Sequence, residues 1–456
     1  MKSKFHLSFL PIFVLFVTLG SCREKPVPIT PDTIEKEPVQ YGVPFDKVPL
    51  VQDIVMYEIN VRAFSPSGDL QGVIDRIDSI RKLGVNVIWL MPIHPIGQLK
   101  SVNSPYCVRN YKEVNPEFGG LDDLRALVDA AHSRDMAVII DWVANHSSWD
   151  NPWISHPSWY TKVNGEIVHP PGTNWQDVAD LNFFNQDMRL AMVAAMKYWA
   201  LEANIDGFRC DAADFVPFSF WKQAIDSLSG LPGRSLILLA EGERADHFTA
   251  GFQMNYSWAF YSKLKDVFNG VPASTLAQVH VDEYKAIPSG GEKLRFTTNH
   301  DESAWDATPV TLFKGKTGAM AASVITAYMG GVPMIYGSQE VGRATNVPFF
   351  YASPIDWSQN RDMEMFYRQL FAIYHQIPAL KTGQLTTYAH DDVVAFLRSG
   401  GSEKVLVLVN VRPVTTVFTM PAELQQTNWV DAFTAKSTSI GVSVELEPYG
   451  YRVLTQ

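Results

Sequence analysis

Ile205-Asp206-Gly207-Phe208-Arg209-Cys210-Asp211 is the stretch that decides how this chain is read. Its apolar run has the length of a buried strand, yet it ends on a carboxylate, and a strand packed among Leu, Ile and Phe gains nothing from that. The same arrangement recurs outward along the chain. Leu236-Ile237-Leu238-Leu239-Ala240 runs into Glu241, Phe296-Thr297-Thr298-Asn299-His300 into Asp301, and Ala137-Val138-Ile139-Ile140 into Asp141, with Asn145 and His146 just beyond. Acids set repeatedly at strand ends point to chemistry at one mouth of a parallel barrel. Alternation along the strand sends Arg209 and Asp211 to the same inward side and turns Cys210 toward the helix layer as a core thiol.

From Ile54 onward, apolar strands alternate with amphipathic helices, the pattern of βα units on a parallel sheet. Strands are expected over residues 53–60, 85–91, 136–142, 205–210, 236–240, 252–256, 294–298 and 332–336. A helix is expected over 70–83, with Val73, Ile77 and Ile80 on one face and Gly84 as its cap. Residues from about 145 to 182, which carry Trp149, Trp153, Trp159 and Trp175 among several prolines, read as an insertion over the barrel mouth whose aromatics line a cleft. After about residue 381 the pattern changes to alternating β-branched segments at 393–398, 404–409, 415–419, 429–431, 442–446 and 451–455. The expected fold class is α/β: a (β/α)8 TIM barrel over residues 50–380, an insertion after strand three, and a C-terminal antiparallel β-sandwich over 381–456.

At 456 residues and 46% hydrophobic, the chain can bury a large core. A formal net charge of −10 and the lack of a dense basic run exclude sequence-independent nucleic-acid binding. Lys2 and Lys4, a short apolar stretch from Leu7 to Leu19, and Gly20-Ser21 before Cys22 have the order of a signal peptide. Residues 23–49, rich in Pro, Lys and Glu, read as a flexible tether. Cys107 and Cys210 are the only cysteines besides Cys22 and give no disulfide framework.

These blocks resemble, in order, those of the α-amylase family of retaining glycoside hydrolases. Asp141-Trp142-Val143-Ala144-Asn145-His146 is similar to the first block, Gly207-Phe208-Arg209-Cys210-Asp211-Ala212-Ala213 to the second, Ala240-Glu241-Gly242 to the third and Phe296-Thr297-Thr298-Asn299-His300-Asp301 to the fourth. Supporting segments are Tyr57-Glu58-Ile59-Asn60-Val61-Arg62-Ala63-Phe64, Asp180-Leu181-Asn182 and Gly331-Val332-Pro333-Met334-Ile335-Tyr336-Gly337. Leu19-Gly20-Ser21-Cys22 resembles a bacterial lipobox, which implies lipidation of Cys22 and an exported lipoprotein anchored to a membrane, periplasmic or at the cell surface.

The resemblance implies roles residue by residue. Asp211 is expected as nucleophile, Glu241 as acid/base and Asp301 as stabiliser of the oxocarbenium-like transition state. Two carboxyls about 5 Å apart repel, so one keeps a proton while the other ionises. Tyr106, His146, Arg209 and His300 are expected to bind substrate or hold the acids, although Pro105 and Cys107 flanking Tyr106 depart from the family's Gly and Asp. Calcium is the implied metal, with Asn145 and Asp180 at the ligand positions; Asp214 and Phe215 stand where many amylases have Lys and His. No organic cofactor is implied, and a monomer is expected. The expected activity is hydrolysis of α-1,4 bonds in starch, maltodextrins or malto-oligosaccharides. The alternatives are an α-1,6-glucosidase, a pullulanase-like or a glycosyl-transferring enzyme of the same family. An inactive surface glycan-binding lipoprotein is the alternative from a different class.

Overall fold

The structure, a computed structural model, describes residues 37–456. The leader, Cys22 and the first part of the expected tether lie outside the described residues. Eight strands, β1 (Met56–Ile59), β2 (Val87–Leu90), β3 (Ala137–Trp142), β4 (Gly207–Cys210), β5 (Ile237–Ala240), β6 (Met254–Tyr256), β7 (Glu292–Arg295) and β8 (Val332–Tyr336), close into one barrel in that order. Every neighbouring pair is parallel. The expected fold class is therefore the observed one.

Alternation sorts the side chains of each strand. Met56, Trp89, Ile139, Leu239, Met254 and Leu294 fill the barrel interior, while Tyr57, Ile88, Ile140, Phe208 and Leu238 face the helices. Above the interior apolar layers comes a polar one. Glu58, Asp141, Arg209 and Tyr256 each lie two residues beyond an interior position or share its inward side, and this layer forms the floor of the barrel mouth.

Two elements differ from their expected form. The seventh strand ends at Arg295, not at Thr298. Residues 296–299 lead instead to the helix His300–Trp305, whose N-cap Asn299 accepts from Glu302 N at 2.9 Å. The Asn cap and two acids in the first turn suit a helix start better than a strand end. The helix expected over 70–83 is broken into Leu70–Ile74 and Ile77–Lys82. Arg76 leaves helical backbone at φ −107°, ψ 4°, and its guanidinium lies 4.0 Å from the centre of the Trp357 ring.

Residues 39–49 are not a free tether. Val39 N donates to Glu202 Oε1 at 2.6 Å, Tyr41 N to Leu201 O at 2.8 Å, and the Phe45 ring stacks 4.4 Å from His132. Phe45 and Val48 also pack against the interior cluster, so this stretch buries apolar surface that a tether of Pro, Lys and Glu alone lacks.

Between β3 and the helix Gln186–Glu202, the insertion pairs His146–Ser148 with Val178–Asp180 antiparallel and adds the small hairpin Lys162–Val163 with Glu166–Ile167. The C-terminal region consists of β9 (Gln384–Tyr388), β10 (Val393–Gly400), β11 (Glu403–Asn410), β12 (Thr416–Thr419), β13 (Thr427–Asp431), β14 (Ser437–Ile440), β15 (Ser443–Leu446) and β16 (Tyr451–Thr455). A six-stranded antiparallel sheet in the order β9-β10-β11-β16-β13-β14 is joined by the pair β12-β15. Ala395, Leu406, Leu408, Phe418, Trp429 and Leu454 share the core of this region. The alternate residues Val394, Phe396, Val405, Val407 and Val409 join the main core of the barrel and its helices. β10 and β11 are therefore buried on both faces, which explains their long apolar runs.

Gly207 opens β4 at φ 155°, and a Cβ built there would meet Ile237 O at 1.9 Å, inside the β4–β5 ladder. Backbone cannot yield as a side-chain tip can. Gly207→Ala is expected to cost about 3 kcal/mol or more, read as a lower urea midpoint with an unchanged slope.

Candidate active site

Arg209 stands at the centre of the barrel mouth, fully buried. Its Nη1 donates to Asp141 Oδ1 at 2.8 Å and to Asp211 Oδ1 at 3.1 Å, and its Nε donates to Tyr256 Oη at 3.2 Å. Nη2 lies 2.6 Å from Glu241 Oε1, a charge contact without hydrogen-bond alignment. The rings of Trp89, Tyr106 and Tyr256 lie around the guanidinium at 5.0, 5.8 and 5.6 Å. The fork of Arg reaches three carboxyls at once, which the single point charge of Lys does not.

The two strands beside this cation place their acids by backbone pairing. Asp211 N donates to Trp142 O at 3.0 Å and Glu241 N to Cys210 O at 2.9 Å, which continues the barrel ladders one residue past β4 and β5. The chain then turns sharply. Ala212 takes a left-handed φ of 45°, costly for a residue with a Cβ. In return, Ala212 N points at Glu241 Oε2 from 2.7 Å. The same turn lets Ala213 N reach Glu241 O at 2.9 Å, so both acids are held by one short piece of backbone.

Burial drives the protonation of the group. It pushes Asp211 up to about 6 against the pull of Arg209, and Glu241 up to about 7 against the same pull, with Asp211 adding repulsion. Asp141 is also raised by burial and opposed first by Arg209. Arg209, Trp89 Nε1 and Tyr106 Oη all donate to Asp141 at 2.8, 3.2 and 3.1 Å, and three donors on two oxygens favour its ionised form. Burial raises Asp301 too, although its side chain is 38% exposed, and water weakens that push. An acid able to hold a proton beside one able to lose it is the arrangement that general acid and nucleophilic chemistry require.

The sequence-predicted residues come together here. Tyr106, His146, Asp211, Glu241, His300 and Asp301 line one cleft of about 520 Å³, with Arg209 beneath it. Tyr106 Oη is 2.7 Å from His300 Nε2 and the two rings stack at 5.3 Å. His300 Nε2 also lies 3.4 Å from Asp301 Oδ2. Burial lowers His146 to about 4, so its ring is neutral at ordinary pH. Of the four insertion tryptophans, Trp175 lines the cleft. Trp149 instead lies under Lys100, and Trp153 packs between Tyr111 and Trp159. Trp305, Phe349 and Phe350 complete the wall from the opposite side.

Sequence reasoning assigned no role to Glu58. It is fully buried, its Oε1 is 2.5 Å from His300 Nδ1, and its Oε2 has no partner among the described residues. Alternation from the interior Met56 was the signal that could have found it.

Asn145 and Asp180 are brought to the base of the insertion, where His146 pairs with Asp180 and Leu181 N bonds to Asn145 O at 3.2 Å. Asn145 Nδ2 lies 3.3 Å from His146 Nδ1. Burial raises Asp180, opposed by a bond from Thr161. Among the described residues no group of three or more His, Cys, Asp or Glu could hold a metal ion. The side chains of Asn145 and Asp180 would supply one amide and one carboxylate oxygen, and backbone carbonyls or water would have to complete the oxygen set that calcium takes.

Residues 40–164 match the family model described as "Alpha amylase, catalytic domain", and residues 384–453 match "Maltogenic Amylase, C-terminal domain". The chain is 26% identical over 412 residues to alpha-amylase MalA of Haloarcula japonica, a match covering 85% of this chain and 59% of that protein. It is 26% identical over 412 residues to alpha-amylase 2 of Dictyoglomus thermophilum, covering 84% and 71%. This chain thus spans 59% and 71% of the lengths of those relatives. The crystal structure of an alpha-amylase from Lactobacillus plantarum shares the fold at a TM-score of 0.81 and 24% identity, covering 89% of this chain and 99% of that one.

Two outcomes are expected from this geometry. Glu58→Gln keeps the shape but removes the charge beside His300, so turnover is expected to fall about 10- to 100-fold. The melting temperature should hold or rise, because a buried carboxylate with an unpartnered oxygen is itself costly.

Proposed function

We propose that the chain is an α-amylase-type glycoside hydrolase, the reading its likeness to the catalytic-domain model and to the curated alpha-amylases supports, and that it cleaves α-1,4-glucosidic bonds of starch, maltodextrins or malto-oligosaccharides by double displacement with retention. The observation that carries this reading is the pairing of Asp211 and Glu241. They share Arg209, which lies 3.1 Å from Asp211 Oδ1 and 2.6 Å from Glu241 Oε1, and the turn at Ala212 fixes both. Close carboxyls suit a nucleophile and an acid on one bond, whereas wider spacing leaves room for water in an inverting enzyme.

In this mechanism the Asp211 carboxylate attacks the anomeric carbon while Glu241 gives its proton to the leaving glycosidic oxygen. The ester that forms joins the sugar to Asp211. Glu241, now ionised, takes a proton from water, whose oxygen attacks the same carbon and returns Asp211 as a carboxylate. Asp301, with His300 and Tyr106 fixed behind it, faces the positive charge that develops on the ring. Arg209 holds the ionised acids without moving.

Asp211→Asn and Glu241→Gln preserve shape and are each expected to lower turnover by several orders of magnitude with folding intact. On an activated substrate Glu241→Gln should keep its first step, and azide should rescue it, because a good leaving group needs little protonation. The profile of kcat/KM against pH should be a bell. It rises as Asp211 ionises near pH 6 and falls as Glu241 loses its proton near pH 7, both limbs belonging to the coupled pair. NMR should detect the α-anomer first; early β-anomer, or near-normal turnover in folded Asp211→Asn, rules the assignment out.

A further inference from the structure

The two ends of the cleft are built differently. With the roles given above, Glu241 marks the side of the leaving group, and Tyr106, His300 and Asp301 hold the ring that is retained. Beyond that ring the wall is formed by Val102 and Ser104 from the loop after β2 and by Phe349 and Phe350 from the loop after β8. β2 and β8 flank β1 in the closed barrel, so their loops meet over its end.

There the two loops are tied together. Asn103 Nδ2 donates to Phe350 O at 2.5 Å. Arg62, just after β1 and nearly fully buried, donates from Nη1 to Asn103 O at 3.3 Å and to Phe349 O at 2.8 Å. Its remaining donors fork onto Glu117 at 3.0 and 2.9 Å, which fixes the guanidinium in place. Asn60 Nδ2 takes Pro348 O at 3.3 Å from below. The β8 loop is fastened on its other flank as well, by Val347 N to Ser303 O at 3.3 Å and by Asn346 Nδ2 to Ala304 O at 3.1 Å. Trp305, on the same helix as Ser303, packs its ring 5.6 Å from Phe350. The rim is therefore continuous from the β2 loop through the β8 loop to the helix after β7.

The opposite end has no such tie. Trp175 meets Phe215 ring to ring at 5.6 Å, Phe215 is 54% exposed, and among the described residues no hydrogen bond joins the insertion to the loop after β4.

We propose that the cleft is a blind pocket on the side of the retained sugar, so that the enzyme engages non-reducing chain ends and releases short products rather than cutting within chains. The inference rests on the glucan-hydrolase reading above, and the substrates follow from it. Linear malto-oligosaccharides with a free non-reducing end are taken. Chains capped or substituted at that end are refused, because the tied backbones of two loops occupy the space the cap would need.

The test compares two maltoheptaosides labelled at the reducing end, one with a free non-reducing end and one with that end closed by a 4,6-acetal. The blocked compound is expected to be cut at least ~100-fold more slowly, and the labelled products of the free compound should shorten in steps from the unlabelled end. Equal rates on the two compounds overturn the blind pocket. No hydrolysis of either by folded protein overturns instead the function on which it rests. Asn103→Gly then tests the latch, since Asn103 has φ 65°, which Gly adopts freely, and the change removes only the bond to Phe350 O. Loss of that bond is expected to raise the rate on the blocked compound relative to the free one about fivefold, while the rate on the free compound stays as it was. A ratio unmoved by Asn103→Gly overturns the role of the latch.

Discussion

One cation shared among several acids sets the terms for the rest of this molecule. Arg209 is out of water at the barrel axis and in contact with Asp141, Asp211 and Glu241. A single positive charge cannot hold three ionised carboxylates in a dry interior, so the group retains protons, and the proposed reaction depends on which acid keeps one. Burial alone would leave that undecided. The decision comes from direction: three donors converge on Asp141, one guanidinium nitrogen reaches Asp211, and a backbone amide holds Glu241. The barrel supplies those directions because eight strands present their inward side chains at fixed heights around one axis.

Much of this was legible in the chain. Apolar runs that end on acids located β3, β4 and β5 with their carboxyls, since a buried parallel strand is written in residues that leave few alternatives. Asp301 was found although its setting was not: the run before it is not strand but a lead-in to a capped helix. Glu58 was passed over because a single acid at the end of a short strand resembles any polar strand terminus. Its meaning comes from His300, 242 residues away. β9 and β14 were missed for a related reason. Their threonines and serines lie largely exposed at the two edges of the sheet, where no buried face imposes a pattern.

The regions outside the barrel show the same economy of contact. β10 and β11 spend one face on their own sheet core and the other on the barrel's helices, so the C-terminal region is joined by apolar packing along whole strands. Arg412 adds a polar seam, with its guanidinium on Val267 O, Val271 O and Asp391 O. The insertion is different. Its strand pairs are short, bonds such as Asn151 Nδ2 to Val108 O and Tyr111 Oη to His146 O fasten it to the segment after β2, and most of its aromatics are engaged in packing, leaving Trp175 for the cleft.

The period of two in β4 divides its residues between two environments. Phe208 and Cys210 answer to the volume available among the helices, whereas Arg209 and the adjoining Asp211 answer to charge and reach at the mouth. Adjacent positions in a single strand thus answer to unrelated physical demands. A change of volume at 208 or 210 is met by the helices behind the barrel, and a change of charge at 209 or 211 by the acids at the mouth. One strand four residues long is thereby tuned twice, once for fit and once for charge, and neither setting disturbs the other.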